Sequence, residues 1–316
     1  MSHPGETADM TTAVSTDASG LAAGGADVLA RACNGCRAPN PTSLLVKEGY
    51  ELVRCGRCGL ISVANPPNDE QRSRLYSFDA GYHASLVDDA ASVAFHEREA
   101  ALNLRVLRRF ASGGRLLDIG CSTGLFLRVA RAIGWNAQGL EYSPDSSRIA
   151  REQHGLDVKT GELLADTYPA GSFDVVTMWD VIEHVPDPYT TLVRIRGILA
   201  ADGQVLLKTP NADGLYPRLS LRLAQRLGFW GHAEPPGHLF QFSVQSLSRM
   251  AERAGFRVVA VVHQRIPVTY SFGTPRSWFR SAKWAAYCAL FMPMAWLGPW
   301  LRQGDDQVLV LKKAGA

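Results

Sequence analysis

Residues 115–130 read RLLDIGCSTGLFLRVA: a short apolar run, a turn of small residues and a second apolar run. The run from Leu116 to Gly120 predicts a buried β-strand, and the segment from Leu125 onward predicts a helix. Between them, glycines allow the backbone to pass close to a ligand, and the start of the helix offers free N–H groups. This unit predicts a ligand-binding loop, although such turns also serve strand–helix packing alone.

The segments that follow repeat the alternation of strand and helix. Residues 135–141 predict a strand ending in Glu141, about twenty residues after the glycines, where a carboxylate can hold the two hydroxyls of a ribose. Residues 172–179 and 203–209 predict two more apolar strands. Near-continuous apolar strands separated by helices indicate a doubly wound α/β fold with a mostly parallel sheet. A nicotinamide dehydrogenase would share the turn and the acid.

Four motifs and Glu141 carry a resemblance to a known family. The motifs are DIGCSTG at 118–124, FDVVTMWDVIEHVPDP at 173–188, LAADG at 199–203 and KTPN at 208–211. With them the chain resembles the class I S-adenosylmethionine-dependent methyltransferases, in the branch similar to ubiquinone-type methyltransferases. A dehydrogenase has no counterpart of the EHVPDP block. The resemblance covers about residues 29–265 and a last strand near 306–313, and it implies a seven-stranded Rossmann-like sheet in a methyltransferase domain at 113–316.

The resemblance also implies a binding site for S-adenosylmethionine. Glu141 would accept the ribose hydroxyls and Glu162 would lie near the adenine, while Ser122 stands where the family's loop has its middle glycine. A serine is small enough for that position, and its hydroxyl can reach the cofactor's carboxylate. The implied cofactor-binding residues are Asp118, Gly120, Ser122, Gly124, Glu141, Glu162 and Asp180.

Two histidines are candidates for the catalytic base. Transfer to a hydroxyl requires removal of its proton, and histidine has an unperturbed pKa close to neutral pH. His184 follows the fourth strand of the sheet, where open α/β sheets bind ligands, and His238 lies in a proline-rich loop after the fifth strand. Either histidine can instead only fasten its loop. Glu183, His184 and Asp180 are also an alternative set of ligands for a divalent ion that orients the acceptor.

The cysteine spacing predicts a structural zinc site. Two Cys-x-x-Cys pairs with eighteen residues between them supply four thiolates, which fill a tetrahedral zinc shell and leave no open position for catalysis. A unit this small cannot fold by core burial alone, so the metal would contribute folding energy. Redox thiols are the alternative. We predict a zinc ribbon at 29–66 with the ligands Cys33, Cys36, Cys55 and Cys58.

Composition sets the remaining expectations for the 316-residue chain. With 46% hydrophobic and 20% charged residues it has enough apolar residues to form a core. Its basic and acidic residues nearly balance, with a net charge of +3, which does not favour nucleic acid as a partner. Residues 1–28 are rich in Ser, Thr, Ala and Gly without a signal-peptide pattern, which predicts a disordered tail and a cytoplasmic protein. Residues 67–112 predict a linker and an amphipathic helix.

A hydrophobic stretch near the C-terminus is the last feature of note. Residues 284–301 carry no charge, but two prolines, Pro293 and Pro299, are expected to break a helix there. The apparent last strand at 306–312 must return to the same sheet, which argues against a membrane crossing. We expect an insertion at 276–303 that either packs as a helix pair, over the cofactor or at a dimer face, or makes peripheral contact with the inner membrane. The oligomeric state does not follow from the sequence.

These features predict an S-adenosylmethionine-dependent methyltransferase. The leading expectation is O-methylation of a small-molecule, sugar or lipid-linked acceptor. Transfer to carbon on a nucleotide-activated sugar is a second possibility, because comparable zinc units occur in that group. A non-catalytic protein that only senses the cofactor is a third.

Overall fold

The computed structural model describes residues 32–76, 90–227 and 230–315. The predicted disordered tail at 1–28 lies outside these residues. The predicted boundaries between ribbon, linker and methyltransferase domain stay predictions. The strands are β1 (Thr42–Lys47), β2 (Tyr50–Arg54), β3 (Ile61–Val63), β4 (Arg115–Ile119), β5 (Asn136–Glu141), β6 (Val158–Thr160), β7 (Phe173–Trp179), β8 (Leu199–Pro210), β9 (Phe240–Gln241), β10 (Phe256–Gln264) and β11 (Asp306–Lys313).

Seven of the strands form one large sheet in the order β10-β11-β8-β7-β4-β5-β6. Strand β11 pairs antiparallel with both of its neighbours, whereas β4 pairs parallel with β5 and β7, β5 with β6, and β7 with β8. The predicted α/β class with a mostly parallel seven-stranded sheet is therefore confirmed. Because parallel strands end at the same edge, this topology places Gly120, Glu141, Asp180 and Lys208 along one edge of the sheet.

Helices connect the strands and cover the two faces of the large sheet. Those relevant to the site start at clear signals: Ser143 and Asp187 each accept a hydrogen bond from the N–H three residues later, and a proline follows each of them. The helices are α1 (Asp69–Leu75), α2 (Ala90–Leu107), α3 (Leu125–Ala132), α4 (Pro144–Glu152), α5 (Pro188–Ile198), α6 (Leu215–Leu227), α7 (Val244–Arg253), α8 (Val268–Phe272) and α9 (Ala282–Leu297).

A second, smaller sheet has the order β1-β2-β3-β9. Three of its strands belong to residues 32–66, which hold the four cysteines and are called the cysteine unit below. The fourth strand, β9, comes from residues 240–241, far along the chain. Leu60 and the ligand candidates Cys55 and Cys58 belong to the same buried cluster as Leu239 and Phe242. The small unit therefore shares its core with the rest of the chain.

The C-terminal insertion contains α8, a short 3-10 turn (Ser277–Phe279) and α9. Our expectation that Pro293 breaks the helix was wrong, because α9 continues through it to Leu297. Contacts with α6 and a buried face that includes Phe291 hold the helix despite the missing N–H. Among the described residues, none of the helices combines the length and the hydropathy that a bilayer crossing requires.

Candidate active site and four-cysteine cluster

The loop after β4 turns back onto β5. The N–H of Gly120 donates to the carbonyl of Leu140 at 2.7 Å. Gly120 and Gly124 have φ angles of +73° and +85°, and a Cβ atom would come within 2.4 Å of Val181 at the first and 2.1 Å of Leu156 at the second. Only glycine fits these two positions without displacement of a neighbour. Ser122, in the place of a glycine, also adopts a positive φ of +51°.

Glu141 at the end of β5 faces this loop. Its two carboxylate oxygens accept hydrogen bonds from the backbone N–H groups of Ser122 and Ser143, each at 2.8 Å. The residue is only 6% exposed. Burial raises the pKa of Glu141, although the hydrogen bonds from Ser143 and Ser122 act to lower it. Within the described residues, the carboxylate makes no ion pair, so its remaining lone pairs suit neutral hydroxyl donors.

Asp118 lies deeper on the same edge. It is 2% exposed, and its Oδ1 atom accepts a hydrogen bond from the Thr177 hydroxyl at 2.7 Å. Burial raises the pKa of Asp118 to about 8, against the hydrogen bond from Thr177. A cation that binds beside such a buried carboxyl would favour its ionised form and lower its pKa.

Asp180 follows β7 with a φ of +57°, and it is joined to a buried lysine. Lys208 Nζ lies 2.8 Å from Asp180, 3.4 Å from Glu99 on α2 and 3.4 Å from Asp306 on β11. Burial lowers the pKa of Lys208, but the three carboxylates raise it well above the usual value. Lys208 thus holds Asp180 at the end of the fourth strand of the sheet and ties three elements together.

Glu162 lies at the rim of this edge and not in its interior. Its carboxylate pairs with Arg72 of α1 at 3.0 Å, and its side chain is 46% exposed. The guanidinium of Arg72 also lies 5.5 Å from the ring centroid of Tyr142, the residue after Glu141. Arg72, Tyr142 and Glu162 therefore form one wall beside the ribose-binding candidate.

The two candidate catalytic histidines lie side by side. The ring centroids of His184 and His238 are 4.7 Å apart. Nδ1 of His184 lies 2.9 Å from the carbonyl of Gly237 and 3.1 Å from the hydroxyl of Tyr76. Because a carbonyl only accepts, the proton resides on Nδ1, which leaves the lone pair of Nε2 as a proton acceptor. Burial lowers the pKa of His184 to about 3 and that of His238 to about 4.

Tyr76 connects the two halves of this site. Its ring makes an edge contact with Tyr142 at a centroid distance of 5.9 Å and another with His184 at 6.1 Å. The histidine pair therefore lies next to the wall that borders Glu141.

For a divalent ion, the structure brings together a set of possible ligands that differs from the predicted set of Glu183, His184 and Asp180. Glu183, His184 and His238 bring one ligand atom each within 4.8 Å of one another, whereas Asp180 is directed to Lys208. Glu183 is 1% exposed, and burial, together with Asp180, raises its pKa well above the usual value. A cation would have to displace that proton.

A small cavity of about 60 Å³ adjoins His238 and His232. Glu234 on its wall accepts a hydrogen bond from the Tyr270 hydroxyl at 3.0 Å and has its Oε2 atom 3.9 Å from Nε2 of His238. Burial raises the pKa of Glu234. The cavity is lined by Pro210, Tyr216, Gly231, His232, Glu234, His238, Ile266, Tyr270 and Ser271.

The four predicted zinc ligands come together in the N-terminal unit. The Sγ atoms of Cys33 and Cys58 are 3.5 Å apart, as are those of Cys36 and Cys55, and all four lie within 4.8 Å of one another. Tetrahedral zinc with Zn–S bonds of about 2.3 Å separates its sulfurs by about 3.8 Å. The cluster therefore fits a zinc ion.

Comparison with known proteins identifies the family. The sequence pattern described as a methyltransferase domain matches residues 94–261, more than half of the chain. The chain therefore belongs to the methyltransferase-domain family, as the motifs predicted. The chain is similar to the ubiquinone biosynthesis O-methyltransferase of Xanthomonas euvesicatoria pv. vesicatoria, which is 33% identical over 160 residues, 44% of this chain and 66% of that protein.

Two further similarities complete the comparison. The ubiquinone biosynthesis O-methyltransferase of Aromatoleum aromaticum is 33% identical over 108 residues, 32% of this chain and 46% of that protein. The matches thus span between 46% and 66% of the length of these two relatives. A chain from the complex between the Haloferax volcanii Trm112 methyltransferase activator and a methyltransferase has the same fold, with a TM-score of 0.53, 17% identity, and coverage of 74% of this chain and 98% of that one.

Some residues of the site were not predicted from the sequence. Lys208 belongs to the KTPN motif and ends an apolar strand, a signal that marks a polar residue at the ligand-binding edge. Arg72 and Tyr76 carry no such signal, because they reach the site from α1 and from the residue that follows it, outside the sheet. Thr177 lies inside the apolar strand β7, and only the structure pairs it with Asp118.

Proposed function

We propose that the chain transfers the methyl group of S-adenosylmethionine to a hydroxyl of a small acceptor. The observation that carries the proposal is Glu141. It is a buried carboxylate with no ion-pair partner among the described residues, and two backbone N–H groups hold it against the Gly120–Gly124 loop. Two ribose hydroxyls would give this group the donors that it lacks.

The other cofactor contacts are assigned on the same basis. Asp118 would meet the ammonium group of the methionine part, which would favour its ionised form. Gly120, Ser122 and Gly124 would border the backbone of the cofactor, and Asp180 would line the pocket at the end of β7. Glu162, with Arg72 and Tyr142, would border the adenine. These roles rest on the family resemblance and on the positions described above.

His184 is assigned the role of general base. S-adenosylmethionine supplies a methyl group on a sulfonium, which is its own leaving group. Nε2 of His184 would take the proton from the acceptor hydroxyl as the oxygen forms its bond to the methyl carbon. His238 would orient the acceptor at the mouth of the cavity. This step needs a neutral imidazole, and burial keeps His184 neutral by lowering its pKa to about 3. The same burial makes the ring a weak base, so the acceptor complex would have to raise its basicity.

The acceptor class is proposed from the relatives and from the site. Two relatives are named as ubiquinone biosynthesis O-methyltransferases, which favours a hydroxyl on a phenol-like ring over a carbon acceptor. The cavity wall combines aromatic rings with Glu234 and His238, a lining that suits a ring with polar substituents, but at about 60 Å³ the cavity would have to widen to admit one. Sugars and lipid-linked acceptors remain within the proposal.

The test is a transfer assay with the full chain and S-adenosylmethionine labelled in the methyl group. Catechols, hydroxylated quinones, sugars and polyprenylated phenols serve as acceptors. We expect label on an oxygen atom and an equal amount of S-adenosylhomocysteine. Label on carbon would support the alternative of a C-methyltransferase, and micromolar cofactor binding without any product would support the cofactor-sensing alternative.

A divalent ion at Glu183, His184 and His238 is the second candidate mechanism, favoured by the proximity of their ligand atoms. In it the ion, and not a free imidazole, would activate the acceptor hydroxyl. Turnover after treatment with EDTA, with Mg²⁺ or Mn²⁺ added back, distinguishes the two. Loss and recovery of activity would favour the ion. Activity independent of both would favour His184 as a free base.

We also propose that the four cysteines bind a structural zinc ion. The sulfur–sulfur distances support it, and four thiolates leave no position open for a substrate. Metal analysis should give one zinc per chain, and Cys36→Ser should lower this content. A chain purified without metal and folded to the same thermal stability would contradict the proposal.

A peripheral contact with anionic membrane is proposed for the C-terminal insertion. Between Glu252 and Asp305 the sequence contains no acidic residue but has Arg253, Arg257, Arg265, Arg276, Arg280, Lys283 and Arg302. Beside these cations, large apolar side chains are 50% to 87% exposed, and they are Phe279, Leu290, Trp296, Leu297, Trp300 and Leu301. Basic residues around exposed tryptophans and leucines fit an anionic bilayer surface. We place the protein in the cytoplasm, at the inner face of the membrane.

This surface also bears on the acceptor, because α8 links it to the cavity. Tyr270 lines the cavity, and the exposed Phe279 follows it within ten residues. Sedimentation with vesicles of phosphatidylglycerol tests the contact. Trp300→Ser with Leu301→Ser should release the protein, whereas Ile133→Ser, an equally apolar change on another face, should not. Failure of the intact chain to bind such vesicles would contradict it.

A further inference from the structure

The first cysteine pair is connected to the histidine-bearing loop by a side chain that no metal needs. Asn34 lies between Cys33 and Cys36, and its amide Nδ2 donates to Oδ1 of Asp187 at 2.9 Å. Its carbonyl Oδ1 accepts from the backbone N–H of Tyr189 at 3.2 Å. One amide therefore bridges the start of the cysteine unit to a segment more than 150 residues away in the sequence.

Asp187 is itself held in place at the start of α5. Its Oδ1 accepts from the N–H of Thr190 at 3.0 Å and its Oδ2 accepts from the Thr190 hydroxyl at 2.7 Å. These bonds, with Asn34, lower the pKa of Asp187, although burial acts to raise it. His184 precedes Asp187 by three residues, so the position of this cap limits where the imidazole can lie.

A second connection reaches the other side of the histidine pair. In the small sheet, the N–H of Val63 donates to the carbonyl of Leu239 at 2.9 Å. The N–H groups of Leu239 and Phe240 in turn donate to the carbonyl of Glu183 at 2.9 and 3.2 Å. The cysteine unit thus contacts both loops directly beside His184 and His238.

Arg253 at the end of α7 strengthens the first connection. Its guanidinium lies 4.3 Å from the ring centroid of Tyr189 and donates to the backbone carbonyls of Asn34 and Gly35. The turn that carries Asn34 is therefore clamped against α5 by a cation–π contact and by charge-assisted hydrogen bonds.

We propose that Asn34 is a positioning residue for the acceptor site, acting through Asp187 on His184. The inference rests on the proposed function of His184 as the base. In this arrangement the metal-binding turn is part of the acceptor site, and it does not act only as a separate recruiting unit. Because transfer requires the base within hydrogen-bond reach of the hydroxyl, a displacement of about 1 Å costs on the order of 100-fold in rate.

Asn34→Asp tests the proposal in the full chain. It keeps the size and the acceptor for the Tyr189 N–H, but it places a second carboxylate against Asp187. We expect kcat to fall at least about tenfold, with unchanged zinc content and unchanged affinity for S-adenosylmethionine. The double variant Asn34→Asp/Asp187→Asn removes the repulsion and keeps a capping oxygen, so we expect it to recover most of the turnover.

Asn65→Asp is the matched control. Asn65 bridges two backbone groups within the same cysteine unit, accepting from Glu51 N at 2.8 Å and donating to Gly49 O at 3.0 Å, but it does not contact α5. We expect its kcat to stay within about twofold of the wild type, since it leaves the Asp187 cap intact. Equal kcat for Asn34→Asp and this control, loss of zinc in Asn34→Asp, or no recovery in the double variant would each overturn the proposal.

Hydrogen exchange separates this inference from the proposed function. Although Asn34→Asp keeps an acceptor for Tyr189 N–H, repulsion between the two carboxylates should separate the turn from α5. The amides of Tyr189 and Thr190 should therefore lose protection in Asn34→Asp and regain it in the double variant, whether or not an acceptor is known. If the wild-type chain transfers no methyl group, the proposed function is contradicted, but the exchange experiment can still be carried out and still tests the coupling. Unchanged protection of both amides would defeat the coupling itself.

Discussion

The two sides of the candidate active site are built in different ways. On the cofactor side, the Gly120–Gly124 loop and Glu141 follow adjacent parallel strands. Backbone N–H groups of Ser122 and Ser143 donate to the Glu141 carboxylate, all within 25 residues of sequence by their numbering. On the acceptor side, His184 and His238 come from distant loops and are held by contacts with a small sheet from the N-terminus.

The difference shows which part of such a site depends on the sheet and which depends on its surroundings. The cofactor side needs only the regular geometry of a parallel sheet edge, together with glycines that no other residue can replace. The acceptor side requires a second structural unit to hold two loops in register. We therefore expect changes on the cofactor side to affect binding and changes on the acceptor side to affect turnover.

The largest effect is expected for His184→Ala. Loss of the general base should lower kcat by about 10²- to 10⁴-fold, with the affinity for S-adenosylmethionine unchanged. Steady-state kinetics and isothermal titration measure the two quantities, and His154→Ala, beyond the end of α4 opposite Ser143, is the control. Normal turnover of His184→Ala would mean that the residue only fastens its loop.

Glu141→Ala should give the converse result. Two charge-assisted hydrogen bonds to the ribose would be lost, so the cofactor dissociation constant should rise about 100-fold. Glu152→Ala, on the exposed face of α4, is the matched control. An equal cofactor affinity in the two variants would break the distinction between the sides.

Gly124→Ala tests whether the loop geometry itself is required. The new Cβ would meet Leu156 at 2.1 Å, in a backbone conformation with φ of +85°. Gly134 has a similar φ of +96° but open space around it, so Gly134→Ala reports the conformational cost alone. We expect Gly124→Ala to lower the free energy of unfolding by about 2 kcal/mol more than its control, as measured by urea denaturation.

The smallest effect is expected from pH. Since burial holds the pKa of His184 at about 3 and that of His238 at about 4, both rings stay neutral over the neutral range. With an acceptor that does not ionise, kcat should vary less than about twofold between about pH 6 and pH 8. Below about pH 6.5 these two histidines bind protons in the unfolded chain but not in the folded chain. The free energy of unfolding should therefore fall as the pH drops towards 4. An acid limb in kcat near pH 6.5 would show that the base is not one of these buried imidazoles.

The geometry of the Gly120–Gly124 loop and of Glu141 could be predicted closely from the sequence. The strand, the turn and Glu141 follow one another with the spacing that a parallel sheet imposes, so local pattern and spatial position agree. The mostly parallel α/β fold followed from the same alternation, whereas the number of seven strands followed from the family resemblance. The path of α9 through Pro293 did not, because it depends on packing against α6, which a local pattern does not contain.

The contacts of the acceptor side could not be predicted in the same way. His184 and His238 were named as candidates, but their proximity depends on the way two loops fold onto each other. Asn34 gives no signal in the sequence, because an asparagine between two candidate zinc ligands is equally suited to a solvated turn. Its partner Asp187 lies 153 positions away, and only the packing of the two units brings them together.

The short strand β9 limits how this protein can be engineered. Although it has only two residues, it completes the small sheet from the far side of the chain. Exchanging the cysteine unit for that of another protein would therefore require a matching recipient edge at residues 240–241. In a chimaera joined after residue 66, a foreign strand would have to pair with β9, close to His238. Its yield and activity should depend on whether that strand pairing is restored.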